Sequence, residues 1–337
     1  MPTTARPRVR LRDVAEHARV SATTASLVLG GRDVRVSEQT RQRVLRAARE
    51  LDYRPNLTAR SLRTQVSSTI GLVADTIVTG HYGGELIRGS LTAALAHGHR
   101  LLVCEYEGDP VLEPMLIEDL VARQVDGLLY TTASHDRVEL PDALAGQRVV
   151  LVNCESESSH PSVVPDEAEG GRAAARLLTD AGHREGIVLV GETPTTSLPA
   201  SRRLEGVTAG LAEVGAVVAE QLDCSWWPEA AFDAVTEALA GGMRPRALVC
   251  LNDRIALGTY QALGEAGLSV PGDVSVVSFD DSELASWLRP ALSTIALPEF
   301  EMGRLAVDLL LGEEAVTGAV LVPMPVRERG SVAPPSR

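Results

Sequence analysis

From Thr69 onward, short apolar runs alternate with helix-periodic stretches. They read TIGLVAD, GSLTAALAHG, RLLVCEY, LIEDLVARQ, VDGLLYT and QRVVLVN, then GGRAAARLLTDAG, EGIVLVG, RRLEGVTAGLAEVG, FDAVTEALAGG, RALVCLN, ALGTYQALGEAG and DVSVVSFD. Strands joined through helices of about a dozen residues make βαβ units. Their unbroken apolar character is what parallel strands covered on both faces require. The rhythm predicts an α/β body over 69–330. About 260 residues exceed one doubly wound sheet, and the pattern falls into two halves of similar cadence, so two lobes are expected. One takes about 69–164 and 296–318, the other about 165–295 and 319–330, with 331–337 as a tail.

The chain before Thr69 follows a different period. Leu11, Val14, Ala15 and Ala18 share one helical face; Arg19-Val20 makes a tight connection; Ser21 is placed to cap SATTASLVL, which Gly30-Gly31 ends. Ser37 can cap a third helix in which Val44, Leu45, Ala48 and Leu51 recur at helical spacing, closing a small core with Val20, Val28 and Leu29. Pro55 breaks the chain, and Asn56 can cap the short segment LTARSL. These signals divide the front of the chain into a flexible basic arm (1–10), an all-α helix-turn-helix (11–54), and a hinge helix with linker (55–68).

Charge separates the same two parts. The whole chain carries −13, yet residues 1–63 hold 14 Arg against six acidic residues, a surplus of eight positive charges that leaves −21 on the rest. A protein built this way neutralises phosphates with one end only. There is no lysine, which excludes chemistry needing a lysine amine or a P-loop ammonium. The four cysteines lack metal or redox spacing and read as small buried hydrophobes in a reduced compartment. No export signal or transmembrane-length apolar run is apparent, so a cytoplasmic location away from membranes is expected.

In a helix-turn-helix the second helix enters the major groove with its first turn facing base edges. Here that turn is Ser21, Ala22, Thr23 and Thr24, with Leu27 one turn on. Hydroxyls can bond phosphates or bases, while Ala22 and Leu27 offer apolar contact, most naturally to a thymine methyl. A small helical interaction bundle is the competing reading. In the body, ligands of parallel sheets sit beyond the carboxyl ends of strands, where Asp75, Asn153, Asn252-Asp253 and Asp280-Asp281 stand. Oxygens of this kind beside an arginine fork suit paired sugar hydroxyls.

The segments RDVAEHARVSATTASLVL, VSEQTRQRVLRAARELDYRPN and ARSLR resemble the head and hinge of the LacI family of bacterial transcription regulators. SRRLEGV, CLNDRIALGTYQALGEAGLSVPGDVSVVSFDDSELA and RPALSTIALPEFEMG resemble its sensor body, which is like periplasmic sugar-binding proteins. The resemblance implies that Ala22, Thr23 and Leu27 read bases. Ser21, Thr24, Ser26, Ser37, Thr40 and Asn56 hold the DNA backbone, and Leu62 wedges into the minor groove beside a small Ala59. It also implies effector contacts at Arg203, Asn252 and Asp280; Asp75 and Asn153 join them from their strand ends, Tyr82 in GHYGGEL can pack against the ligand, and Trp226 or Trp227 can supply a stacking face. Capping is the alternative for Asp253 and Asp280, acid pairing for Arg203, and core burial for the tryptophans and Leu62. Three departures stand out: Arg19 where the family usually has glycine, Leu27 where a guanine-reading arginine is common, and Leu297 where a polar residue is common.

These readings imply a homodimeric repressor on an imperfectly palindromic DNA operator, released or tightened by a small carbohydrate effector, with no cofactor or metal. A cytoplasmic sugar-binding or sugar-modifying α/β protein without operator control is the alternative. Against an enzyme stands the absence of a GxGxxG after a strand, a GxSxG elbow and a zinc-type His cluster; His97 and His99 read as surface residues of a helix-to-strand turn.

Overall fold

The computed structural model describes residues 9–30, 36–54, 66–76, 83–192, 197–313 and 316–335. Asn56, Ala59, Leu62, Tyr82 and residues 1–8 of the basic arm lie outside them. The chain divides into two compact units, Met1–Ser67 and Ser68–Arg337.

The first unit holds three helices, α1 (Leu11–Ala18), α2 (Ala22–Leu29) and α3 (Glu38–Glu50). Ser21 caps α2 by accepting from Thr24 N at 3.0 Å, and Ser37 caps α3 by accepting from Thr40 N at 3.3 Å. Each satisfies one orphan donor of a helix start. Val14, Ala15, Ala18, Ala25, Val28, Val44, Ala47 and Ala48 form the core, with Val20, Leu29 and Leu51 against it. Leu45, expected inside, is exposed. At 100° per residue it falls outside the arc of Val44, Ala47 and Ala48, and Ala47 takes the place assigned to it.

Arg19 closes α1 in the left-handed region at φ 54. Val20 N donates to Ala15 O at 2.9 Å and Arg19 N to Glu16 O at 3.1 Å, the paired bonds of a Schellman turn. The non-glycine residue therefore accepts the strain rather than changing the turn, at about 1–2 kcal/mol for a side-chain-bearing residue.

The second unit contains two six-stranded sheets. The first has the order β11-β5-β4-β3-β1-β2 and is wholly parallel, built from β1 (Thr69–Ala74), β2 (Arg100–Glu105), β3 (Leu128–Arg137), β4 (Val149–Glu155), β5 (Ser162–Pro165) and β11 (Ala319–Val322). The second has the order β12-β10-β9-β8-β6-β7, from β6 (Ile187–Val190), β7 (Val218–Leu222), β8 (Ala247–Cys250), β9 (Ser275–Asp280), β10 (Ser293–Ala296) and β12 (Val326–Arg327). Only the short edge strand β12 runs antiparallel.

Helices α4 (Gly84–Ala96), α5 (Leu112–Ala122) and α11 (Glu299–Leu311) cover the first sheet. Helices α6 (Glu167–Asp180), α7 (Leu198–Ala212), α8 (Pro228–Ala240), α9 (Asp253–Glu265) and the short α10 (Glu283–Trp287) belong to the second lobe. Strand β1 shows why its residues are apolar throughout. Ile70, Leu72 and Ala74 enter the core under α4 and α11, while Val73 enters the core under α5 on the other face. Helix pairs in both lobes cross through glycine: a methyl at Gly303 would strike the Leu86 carbonyl, one at Gly206 the Ala168 carbonyl and one at Gly258 the Pro228 carbonyl.

The chain passes between lobes three times: after β5, between β10 and α11, and between β11 and β12. Residues 319–322, assigned from the sequence to the second lobe, instead pair with β5 in the first sheet, because a parallel partner along Ser162–Pro165 is available there. The segment 331–335, expected as a tail, is held to the second sheet. Ser331 is buried and its Oγ donates to Val276 O at 2.6 Å, and Ala333 N donates to Ser275 Oγ at 3.1 Å. Among the described residues no helix is long and apolar enough to cross a membrane.

Replacing Arg19 by glycine removes the left-handed strain while adding some unfolded-chain entropy. Arg19→Gly is expected to stabilise the head by about 0.5–1 kcal/mol. Hydrogen exchange of the α1–α3 amides reads it, and slower exchange than in the parent chain is the expected result.

Candidate functional site

On α2, Ala25 and Val28 turn inward while Ala22 and Thr23 are exposed and Leu27 and Ser26 are half-buried. The residues expected to read bases therefore lie away from the head core. The hydroxyls expected to hold phosphates come as bonded pairs at helix starts, Ser21 Oγ with Thr24 Oγ1 at 2.8 Å and Ser37 Oγ with Thr40 Oγ1 at 3.0 Å. Two helix N-termini with hydroxyl caps suit an anionic backbone, since their N–H groups carry partial positive charge.

In the second unit a cavity of about 540 Å³ opens between the two lobes, within the range of small-molecule sites. It gathers residues from strand ends of both sheets: Asp75 after β1, Asn153 in β4, Trp226 after β7, Asn252 after β8, Asp280 at the end of β9 and Leu297 after β10. Arg203 enters from α7. Six of the seven effector residues expected from the sequence thus line one space, and Tyr82 lies outside the described residues.

Arg203 is buried and heavily engaged. Its Nε and Nη2 donate to Glu167 at 2.6 and 3.1 Å, and its Nη1 donates to the Leu251 carbonyl and lies 3.5 Å from Asp280 Oδ1. Its guanidinium carbon is 4.7 Å from the Phe279 ring centroid and 5.9 Å from that of Trp226. Both alternatives for Arg203 therefore hold at once: it lines the cavity and it pairs with an acid. Trp226 is the cavity tryptophan, and its Nε1–H donates to Glu192. Trp227 is exposed and stacks on Arg254 at 4.6 Å.

The neighbouring polar residues divide between framework and cavity. Asn252 caps α9, its Oδ1 accepting from Ile255 N at 2.8 Å. Asp253 caps no helix of its own. Its buried carboxylate accepts from Ser278, Thr294 and Ser282 and so ties β9, β10 and α10 together. Asp280 faces Arg203 rather than a helix start, since Ser282 is the N-cap of α10. Asn153 and Asp280 sit at φ 56 and 109. Left-handed backbone at cavity residues is strain that the surrounding packing must hold.

Burial raises the Asp75 carboxyl above its ordinary range, against N–H donors from Thr76 and Ala133, and nearby Asp136 adds to the rise. Glu299 is likewise raised by burial, against the N–H of Gly83. Burial pushes the thiols of Cys154 and Cys250 up to about 12 and that of Cys224 up to about 11, as inert core cysteines require.

Sequence reasoning missed Glu192, His135, Glu299 and Arg254. Glu192 follows the apolar run EGIVLVG and so had the same strand-end signal as Asp75. His135 had none, because it lies late in β3, where the apolar run has already ended. It also belongs to a bridge across the lobes. Arg202 of α7 donates to Glu155 of β4 at 2.9 and 3.1 Å, and its Nη1 lies 3.2 Å from His135 Nε2. Nε2 faces this donor and, at 3.3 Å, the Glu155 Oε1 acceptor, so the ring proton can sit on either Nε2 or Nδ1. That Nδ1 has no partner among the described residues. Burial, the largest effect, holds the imidazole below its ordinary pKa. Burial raises Glu155, but the Arg202 bonds and the Arg202 and His135 charges outweigh it and leave the carboxyl lowered. His97 and His99 of the helix-to-strand turn instead pair with Asp308 and Asp126.

Residues 10–56 match the family model for bacterial regulatory proteins of the lacI family, and residues 175–332 match that of the periplasmic binding protein-like domain. The ribose operon repressor of Escherichia coli K12 is 34% identical over 306 residues, covering 89% of this chain and 92% of that protein. The chain belongs to the LacI family of bacterial regulatory proteins. This LacI-family regulator superposes on the Lac repressor dimer bound to operator and an anti-inducer with a TM-score of 0.80 and 28% identity, over 97% of this chain and 99% of the other. A LacI-family regulator from Enterococcus faecium with bound ribose matches with a TM-score of 0.64 and 25% identity, over 80% of this chain and all of that one. The regulator is thus a DNA-binding transcription factor whose body is a sensor domain.

Removing Arg203 strands Glu167 and Asp280 in a dry site. Arg203→Ala is expected to destabilise the body by about 3–5 kcal/mol, and Arg203→Ala with Glu167→Gln by clearly less, as read by urea unfolding.

Burial also gives a pH signature. A histidine whose folded pKa is depressed contributes stability that is complete above about pH 6.5 and is lost as pH falls through the folded value. The histidine contribution to thermal stability is expected to fall on acidification below that pH, so His135→Gln should lose stability less steeply than the parent chain, while the raised carboxyls of Asp75, Asp253 and Glu299 act in the opposite direction at lower pH. The slope is not abolished, because burial lowers His183 as well.

Proposed function

We propose that this LacI-family regulator is a repressor that binds an imperfectly palindromic operator as a homodimer, and that a carbohydrate held between the lobes changes its operator affinity. One observation carries the reading: the same chain presents Ala22 and Thr23 on a Ser21-capped helix and, in its body, a cavity ringed by strand-end polar residues and Trp226. An indole face with carboxylate and amide oxygens suits the alternating apolar and hydroxyl faces of a pyranose or furanose. The ribose in the Enterococcus faecium relative supports the same class.

In this reading Arg203, committed to Glu167, serves mainly to fix Trp226 and Asp280. Asp75 and Asn153 offer hydrogen-bonding atoms, and Leu297 removes a hydroxyl contact common in the family. In the head, Ser21, Thr24, Ser26, Ser37, Thr40 and Asn56 hold the backbone. Ala22, Thr23 and Leu27 read bases, and Leu62 wedges the minor groove with Ala59 leaving room for a second copy.

Dimerisation is supported by an apolar surface on the first lobe. Leu91 and Leu95 of α4 and Leu102 and Val103 of the edge strand β2 are all exposed. The solved Lac repressor relative is a dimer. A role on DNA fits a cytoplasmic protein. Binding rather than catalysis fits a cavity whose acids are engaged in holding it, Glu192 on Trp226, Asp75 on Thr76 and Ala133, and Glu167 on Arg203.

The test is a mobility shift on selected DNA. The regulator is expected to retain symmetric half-sites with strong salt dependence and to respond to a saccharide; salt-insensitive, sequence-blind association would end the reading. In the same selection Leu27→Arg is expected to move preference toward guanine at one symmetric position, worth about 1–3 kcal/mol of discrimination.

A further inference from the structure

The cavity is acidic beyond what its own cations balance. Among the described residues that line it, six are carboxylates, Asp75, Asp136, Glu167, Glu192, Asp280 and Glu299, against the guanidinium groups of Arg203 and Arg254. Glu167 and Asp280 share Arg203. Asp75, Asp136 and Glu192 are instead held by neutral donors, namely backbone N–H groups, the Ser134 hydroxyl and the Trp226 indole. The remaining cavity base, His135, is neutral in this setting. It is a 2% exposed side chain lining the cavity, and its Nδ1 has no partner among the described residues.

Carboxylates gathered in a partly dry space repel one another, and that repulsion is relieved by a cation and worsened by an anion. Burial raises the carboxyls of both Asp75 and Glu299, and the neighbouring Asp136 charge adds to the rise at Asp75. We propose that the effector is a polyhydroxylated compound bearing a protonated amine, an amino sugar in the simplest case, and that the cavity rejects phosphorylated and carboxylated sugars. The hydroxyls meet the strand-end oxygens and the indole face of Trp226, and the ammonium group sits among the carboxylates not claimed by Arg203. This inference rests on the reading of the cavity as the effector site.

Calorimetry with the full-length protein at neutral pH tests it on matched scaffolds. The probes are D-glucose, D-glucosamine and D-glucose 6-phosphate, the corresponding galactose series, and spermidine as an amine without ring hydroxyls. The amino sugar of at least one series is expected to bind about tenfold or more tightly than its parent, with the phosphate weaker than both. The gap should shrink in high salt and in Glu192→Gln or Glu299→Gln. A phosphate that binds as well as the amine, spermidine binding as tightly as the amino sugar, or no amino sugar binding at all overturns the proposal.

Operator release, measured in parallel, separates this from the reading beneath it. An amino sugar that binds without changing operator affinity upholds the charge inference and sinks effector control of DNA binding. A phosphate or neutral sugar that binds best and releases the operator does the reverse.

Discussion

One guanidinium organises the sensing body. Arg203 reaches Glu167 at the start of α6, the Leu251 carbonyl just past β8 and Asp280 at the end of β9, and it stacks near Phe279 and Trp226. Those groups come from separate strand and helix ends, of which β8 and β9 are neighbours in the sheet. A planar cation with five donors in fixed directions satisfies them simultaneously, where a flexible ammonium would meet one at a time. Arginine also keeps its charge in a dry site, so the anchor does not titrate away. The strained backbone at Asp280 persists because this arrangement over-determines it.

The bridge of Arg202 to Glu155 is the complement of that anchor one residue earlier on α7. Arg203 fixes the second lobe internally, while Arg202 fastens it to the first, with His135 wedged beside the contact. Consecutive arginines thereby divide two tasks, shaping the cavity wall and setting how closely the lobes approach. A ligand between the lobes is linked to both, since closing on it must leave the Arg203 cluster intact and keep or break the Arg202 contact.

Much of this was legible in the residues. Apolar runs announced the inner strands because each is buried on both faces, and Ser21 and Ser37 announced helix starts because only a small hydroxyl caps that geometry well. Asp75, Asn153, Asn252 and Asp280 could be placed at the cavity because strand carboxyl ends converge there in any open parallel sheet. What stayed hidden was whatever depends on long-range pairing. Strand β7 has an exposed edge and no continuous apolar signal, and the first-sheet place of β11 depends on a partner more than 150 residues away. Leu45 was misplaced for a simpler reason: helical spacing alone does not say how wide the buried arc is. His135 escaped because its role is defined by Arg202 and Glu155, which no local pattern connects to it.

The triple passage of the chain between lobes has a consequence for how such regulators diversify. The head precedes the body in one uninterrupted stretch, so a single recombination junction near Ser67 can exchange operator recognition wholesale. Neither lobe is contiguous in the gene: β11 and α11 return to the first sheet after the second has been almost completed. No single junction can graft one lobe onto a foreign partner. New operator preferences can therefore arrive by shuffling, whereas new ligand preferences must accumulate by substitution inside an intact body.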